Sequence, residues 1–155
     1  MEYPSFIAID ASSYEDTAHP VAIAWSLADG TVKTTLVQPD DDWDDWDFAL
    51  EDLHGISQDT LYQMGETGWS VIRELEADLD QPYLLADDAE RCELLLEKLY
   101  EAYGKESSIE ISACQAEPGL GSLGDWYEDT NFWHQPCDER IRLLLFKWNE
   151  SNNQK

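Results

Sequence analysis

Three strand-like runs open the sequence, and the short connection between two of them limits the folds that the chain can adopt. Apolar and β-branched residues dominate residues 6–9, 21–27 and 31–37. Residues 28–30, with the sequence Ala-Asp-Gly, separate the second and third runs and have the composition of a hairpin turn. Because so short a link joins only antiparallel neighbours, we predict that these runs form an antiparallel meander.

Helical segments alternate with shorter strand candidates in the rest of the chain. We predict helices near residues 46–53, 58–64, 69–79 and 88–103, strands at 83–86 and 109–111, and a last helix that begins at Pro136. In the helix over 88–103, one inward-facing stripe is formed by Cys92, Leu95, Leu96, Leu99 and Tyr103. Gly104 follows at the usual capping position, and a glycine-rich loop precedes the last helix.

This order of elements predicts an α/β fold. Three antiparallel strands followed by two β-α units, with helices on the sheet faces, give a mixed sheet of the ribonuclease H-like type. The length of 155 residues suits one hydrophobic core. We therefore predict a single domain over residues 1–150 and a flexible polar tail over residues 151–155.

Composition sets further expectations about location and redox state. The chain contains no apolar run of membrane-spanning length and no secretory signal pattern, so we expect a cytoplasmic protein without a membrane partner. The three cysteines, Cys92, Cys114 and Cys137, lack the spacing of zinc ligands. We expect them to be reduced and buried.

The charge balance is strongly acidic. Thirty-four Asp and Glu residues oppose nine Lys and Arg residues, which gives a net charge of −25. Nucleic-acid binding draws affinity from Lys and Arg, so this charge disfavours a nucleic-acid partner. It is consistent with solubility, with an acid-biased host, or with a basic protein partner. The oligomeric state stays open, a dimer included.

Several motifs, in order, resemble those of one family. They are FIAIDASS at residues 6–13, HPVAIAWSLADG at 19–30, LHGIS at 53–57, and YLLADDAERCELLLEKLYEAYG at 83–104. Over roughly residues 5–148 the chain resembles the DEDD-type 3′–5′ exonucleases, relatives of ribonuclease T and of polymerase proofreading domains. The resemblance implies four carboxylates that hold two Mg²⁺ or Mn²⁺ ions, a histidine that activates water, and a nucleic-acid 3′ end as partner.

The first acidic segment of the family has the pattern Asp-x-Glu, of which this chain keeps one acid, Asp10. If Asp10 is the first acid, Ser12 occupies the second position. If Asp10 is the second acid, Ala8 occupies the first, and we favour this alignment. Either alignment makes Asp10 the metal ligand of this segment and leaves one carboxylate absent.

The second segment has Cys92 at the position of the family's ligand. Asp88 lies one turn earlier on the same helix face and is the substitute ligand, with Asp87 as a further candidate. The helix start also suits Asp88 as an N-cap, which we favour as its role.

The third segment keeps His134 before the last helix, where the family has its catalytic base. A structural role for His134 is equally supported. Family spacing selects Glu139 as the accompanying metal ligand, whereas helical periodicity favours Asp138. His54 in LHGIS is expected to fix a turn and is the candidate contact to substrate.

The hypothesis from the sequence is an exonuclease-like protein with a degenerate two-metal site, catalytically impaired and acting as a binding module. The alternative is an active metal-dependent 3′–5′ exonuclease on short or single-stranded ends, using displaced acids. The sequence is compatible with bound Mg²⁺ or Mn²⁺ and also with a protein that binds no cofactor. A cation buffer ranks third, because dispersed carboxylates bind cations weakly without a shaped loop.

Overall fold

The computed structural model describes residues 2–153, in which strands and helices follow the predicted order. The strands are β1 (Phe6–Ala11), β2 (Pro20–Ser26), β3 (Val32–Leu36), β4 (Tyr83–Ala86) and β5 (Glu110–Ala113). The α-helices are α1 (Phe48–His54), α2 (Gln58–Met64), α3 (Gly68–Asp78), α4 (Ala89–Glu101), α5 (Gly124–Asp129) and α6 (Cys137–Asn153).

The strands form one mixed sheet in the order β3-β2-β1-β4-β5. β1 pairs antiparallel with β2, and β2 pairs antiparallel with β3. β4 pairs parallel with both β1 and β5. This topology confirms the predicted meander followed by two β-α units, and it places β1 at the centre of the sheet.

Two hydrophobic layers cover the two faces of the sheet. Ile7 and Ile9 of β1 belong to the layer that contains the buried side chains of α3 and α4. Phe6 and Ala8 belong to the layer formed with α6. Because side chains alternate along a strand, Asp10 lies on the α6 face. Its side chain accepts a hydrogen bond from the first residue of that helix.

Most helix ends match the capping signals in the sequence. Asp88 is the N-cap of α4, and Gly104 adopts the left-handed conformation that glycine tolerates, with φ of 66°. Asp47 caps α1, so this helix begins after the two tryptophans rather than at Trp46. α5 begins within the segment predicted as a glycine-rich loop, residues 117–126, and its six residues are too few to show a helical period.

The predicted tail boundary at residue 151 needs a correction. α6 continues to Asn153, because side chains of its last turn bind the preceding loop. The Ser151 hydroxyl donates to the Leu120 carbonyl at 3.4 Å, and the Asn152 amide donates to the Gly119 carbonyl at 3.1 Å. The last two residues of the predicted tail, 154–155, lie outside the described residues.

The cysteines have the predicted environment, since Cys92, Cys114 and Cys137 are all buried and free. Across residues 2–153, no helix combines the length and the apolar character that a membrane crossing requires.

Candidate functional site

Two carboxylates meet at one edge of the sheet. Asp10 lies near the end of β1, and Asp87 follows the last residue of β4. Since β1 and β4 are parallel neighbours, their carboxyl ends lie side by side, where open α/β sheets form their sites. Both side chains are buried, with 8% of Asp10 and 7% of Asp87 exposed.

The guanidinium of Arg140, from the first turns of α6, bridges these two carboxylates. Its Nη1 donates to Oδ1 of Asp10 at 3.0 Å, and its Nε donates to Oδ2 of Asp87 at 2.9 Å. Further bonds reach the carbonyls of Gln135 at 2.9 Å and Ile9 at 3.2 Å. Four of the five N–H groups of this buried arginine therefore have acceptors.

Backbone amides bind the carboxylate oxygens that Arg140 does not contact. Oδ2 of Asp10 accepts from the amide of Cys137 at 3.0 Å, at the positive end of the α6 dipole. Oδ1 of Asp87 accepts from the amide of Asp88 at 2.8 Å. All four carboxylate oxygens are thus occupied, which is the condition under which a buried ion pair is tolerated.

Burial is the main influence on the ionisation of both ends of this cluster. It raises the pKa of Asp87, and the charge of Arg140 opposes that shift. Burial also lowers the pKa of Arg140, but the carboxylates of Asp87 and Asp10 outweigh it and leave that pKa above its usual value. The direct contact to a permanently charged guanidinium favours the ionised form of Asp87 and so acts against the effect of burial.

Asp88 and Cys92, from the second acidic segment, have structural roles. Asp88 is exposed, and its carboxylate accepts from the amide of Arg91 at 3.2 Å as the cap of α4. Cys92 is buried, with its Sγ 3.9 Å from Oδ1 of Asp87, and burial raises the pKa of this thiol well above its usual value.

Ser12 and Ala8, the two alternative partners of Asp10, face other surroundings. The Ser12 hydroxyl donates to Oδ2 of Asp45 at 2.7 Å and accepts from the amide of His19 at 2.9 Å. Ala8 is fully buried in the α6 layer. Neither position adds a carboxylate beside Asp10.

The candidates of the third segment lie on the surface. His134 ends a short 3₁₀ turn and is exposed. Asp138 and Glu139 both approach Arg142, with N–O distances of 2.7 Å and 3.8 Å. The structure therefore places Asp10, Asp87 and Asp88 around one cavity but leaves the three candidates of the third segment outside it.

A cavity of about 270 Å³ lies directly against the arginine–carboxylate cluster. Asp10, Asp87 and Arg140 form part of its wall, with apolar and aromatic side chains from α1, α4 and the loop before α6. His54 also lines it. Its Nδ1 accepts from the amide of Ile56 at 3.1 Å, so in the neutral ring Nε2 carries the proton.

His54 keeps a neutral ring with one unused donor. Burial lowers its pKa, although the charges of Asp10 and Glu51 act in the opposite direction. The buried Nε2 atom has no hydrogen-bond partner among the described residues. The bond from the amide of Ile56 to Nδ1 is a contact of the kind expected if His54 fixes this turn.

Arg140 is the residue that the sequence reasoning missed. It lies three residues after Cys137 and four before Leu144, on the same stripe of α6 as the buried Ile141. A charged residue on an otherwise apolar helix stripe requires a buried counter-charge. This pattern in the sequence indicates that Arg140 is paired with buried acids, and in the structure these acids are Asp10 and Asp87.

The donor set does not fit the pair of divalent metals that the family resemblance implies. Two adjacent metals need several carboxylates to neutralise and coordinate them. Here Arg140 pairs with both Asp10 and Asp87 and offsets one of their two negative charges, and the carboxylate oxygens accept N–H groups. Among residues 2–153, no group of three or more His, Cys, Asp or Glu side chains is arranged to hold a metal ion.

The comparisons with known proteins identify structural relatives only, since no family model and no curated protein matches the sequence. E. coli exonuclease I in complex with a 5cy-dA13 oligonucleotide aligns with a TM-score of 0.60 and 13% identity, over 96% of this chain and 41% of that chain. Exonuclease I from Methylocaldum szegediense aligns with a TM-score of 0.57 and 12% identity, over 75% of this chain and 28% of that chain.

A zinc-bound E. coli exonuclease I–ssDNA complex aligns with a TM-score of 0.54 and 12% identity, over 72% of this chain and 28% of that chain. The chain thus spans between 28% and 41% of the length of these solved chains. Identity this low supports conclusions about the fold alone. The likeness confirms the predicted α/β architecture: the chain has the ribonuclease H-like fold seen in exonuclease I structures.

Proposed function

We propose that this protein is an exonuclease-like domain that has lost metal-dependent hydrolysis and acts as a binding module. The observation that carries the proposal is the buried guanidinium of Arg140 between Asp10 and Asp87. A fixed internal cation there pairs with both acids at the edge of the sheet and occupies the space between them that a metal ion would need.

The chemistry of this cluster does not support nucleotide hydrolysis. A guanidinium has only donors and keeps its protons, so Arg140 cannot take a proton from water. The oxygens of Asp10 and Asp87 already accept N–H groups, which weakens both acids as bases. His134 is exposed and does not line the cavity. The cluster instead stabilises the cavity wall in one conformation.

A nucleic-acid 3′ end is the first ligand to test, because two of the solved exonuclease I structures named above are complexes with an oligonucleotide or with ssDNA. The net charge of −25 opposes this ligand, since phosphates approaching the cavity meet an excess of carboxylates. We therefore infer that the module binds something other than a nucleic acid.

A nuclease assay tests the proposal directly. The wild-type protein is incubated with 5′-labelled single-stranded DNA and RNA oligonucleotides in Mg²⁺ or Mn²⁺, beside Asp10→Asn and His134→Ala purified in parallel. We expect no shortening of the oligonucleotides above the level shared by all three proteins. Metal-dependent shortening that both substitutions abolish would overturn the proposal and establish the active-exonuclease alternative.

A further inference from the structure

The mouth of the cavity exposes large hydrophobic side chains that soluble proteins usually bury. Tyr14 is 70% exposed, Trp133 is 46% exposed and Leu53 is 38% exposed, and all three line the cavity. Leu50 and Leu95 continue the apolar wall inward. Exposed apolar residues grouped at a concave site mark an interaction surface.

A second depression, here named the acidic groove, adjoins the cavity. It has a volume of about 350 Å³ and shares Arg91 and Leu95 with the cavity. Four exposed carboxylates line the groove, together with the exposed side chain of Leu94. They are Glu15, Asp16, Glu97 and Glu101.

In the described part of the chain, the two cations of the acidic groove, Arg91 and Lys98, form no direct ion pair with these four carboxylates and leave an excess of negative charge. Arg91 donates to the carbonyls of Ser13 and Tyr14, and Lys98 donates to the carbonyl of Thr17 at 3.0 Å. The ion pairs found in residues 2–153 include none of the four carboxylates of the groove. The groove therefore presents negative charge that is free to pair with an external cation.

We propose that the cavity and the acidic groove together bind a basic peptide segment of a protein partner. An apolar side chain of the segment enters between Tyr14, Leu53 and Trp133, and neighbouring lysines or arginines lie along the carboxylates of the groove. A basic peptide can bury an apolar side chain at the cavity mouth and pair its cations with the carboxylates of the groove. A nucleic acid can stack on the aromatic residues of the mouth, but the groove repels its phosphates.

The inference rests on the proposed function, because it assigns the partner of the same cavity. Each acid of the groove is exposed, so its pairing with the partner is screened by salt. The apolar anchor supplies the part of the affinity that salt does not remove.

Peptide selection tests the inference on the full chain. The immobilised protein is used to select from a random peptide library displayed on phage, and enriched peptides are synthesised with a fluorescent label. We expect enrichment of peptides that combine lysines or arginines with one large apolar residue. We expect Glu97→Lys combined with Glu101→Lys to weaken their binding about tenfold, measured by fluorescence anisotropy.

Two further variants separate a specific site from general attraction. Leu53→Asp places a charge at the cavity mouth and should abolish binding, while Asp125→Lys combined with Glu128→Lys changes the net charge equally on exposed positions of α5. This α5 control should change the affinity by no more than about twofold. Circular dichroism establishes that each variant is folded before binding is compared.

The inference is overturned if no basic, apolar-anchored peptides are enriched, or if the α5 control weakens binding as much as the groove variant does. The same protein preparation is assayed with labelled oligonucleotides. Failure of selection without nuclease activity removes this inference alone, whereas metal-dependent nuclease activity that Asp10→Asn and His134→Ala both abolish removes the proposed function.

Discussion

Arg140 donates to the carboxylate of Asp10 at 3.0 Å, across a sequence separation of 130 residues. The contact links α6 to β1, the central strand, and places a positive charge at the edge of the sheet. The same guanidinium reaches Asp87, so one side chain closes a three-residue ionic cluster in which every member is at least nine-tenths buried.

Replacing Arg140 with leucine should strongly destabilise the fold. Leucine leaves Asp10 and Asp87 buried without a counter-ion, and breaking a buried pair in this way costs about 3–5 kcal/mol. Urea unfolding followed by circular dichroism measures the free-energy change. Arg142→Leu is the matched control on the same helix, because Arg142 forms only half-exposed pairs and should cost about 0–1 kcal/mol. Equal losses in the two variants would contradict a special role for Arg140.

Removing the guanidinium should also change the response of the protein to divalent cations. In the wild-type protein, Mn²⁺ should bind only weakly to surface acids, with the same affinity in Asp10→Asn. In Arg140→Ala, the vacated space lies between two carboxylates, so Mn²⁺ should bind more tightly and should raise the unfolding midpoint. Calorimetric titration and thermal unfolding measure both effects. Asp10-dependent Mn²⁺ binding in the wild-type protein would show that the arginine does not block the site.

Asp88 should behave as a helix cap rather than as part of the ionic cluster. Its carboxylate accepts from the amide of Arg91, and loss of such a cap costs about 1 kcal/mol. Asp88→Ala should lower the free energy of unfolding by this amount. Asp88→Asn should lower it much less, because asparagine is also a favoured N-cap residue. Chemical denaturation of the two variants gives the comparison. A large and equal loss in both would assign the Asp88 charge a role in the cluster.

The architecture could be predicted because local signals determine it. The Ala-Asp-Gly turn makes β2 and β3 antiparallel, and the apolar stripe of α4 requires a helical crossover between β4 and β5. Some helix ends were predictable from a capping residue, as at Asp88, whereas the start of α1 was placed at Trp46 although Asp47 caps this helix. α5 was missed because its six residues are too few to show a helical period.

The site was harder to predict because its residues come from three distant segments. Asp87 and Asp88 are adjacent acids, and only the geometry at the end of β4 determines that Asp87 turns inward. Family spacing points to Glu139, which directly precedes Arg140 in α6. The side chain of Glu139 lies near Arg142, whereas the side chain of Arg140 faces inward. A search for acids alone omits the cation that completes the cluster.

The stability of the protein should depend on pH through His19. Its side chain is buried, its ring stacks on Trp43 with a centroid distance of 5.4 Å, and its Nε2 donates to the carbonyl of Asp45 at 3.0 Å. Burial lowers its pKa below 6.5, and the backbone hydrogen bonds with Pro20 and Asp45 do not offset this effect. The folded protein therefore favours the neutral ring.

The sign of the pH effect follows from this shift. The unfolded chain binds a proton at His19 more readily than the folded protein, so the contribution of His19 to stability is complete above the unfolded pKa. It is lost as the pH falls through the lower folded pKa. We expect the free energy of unfolding to fall less between about pH 7.5 and about pH 5.5 in His19→Gln than in the wild-type protein. A pH dependence in His19→Gln equal to that of the wild-type protein would contradict the assignment to His19.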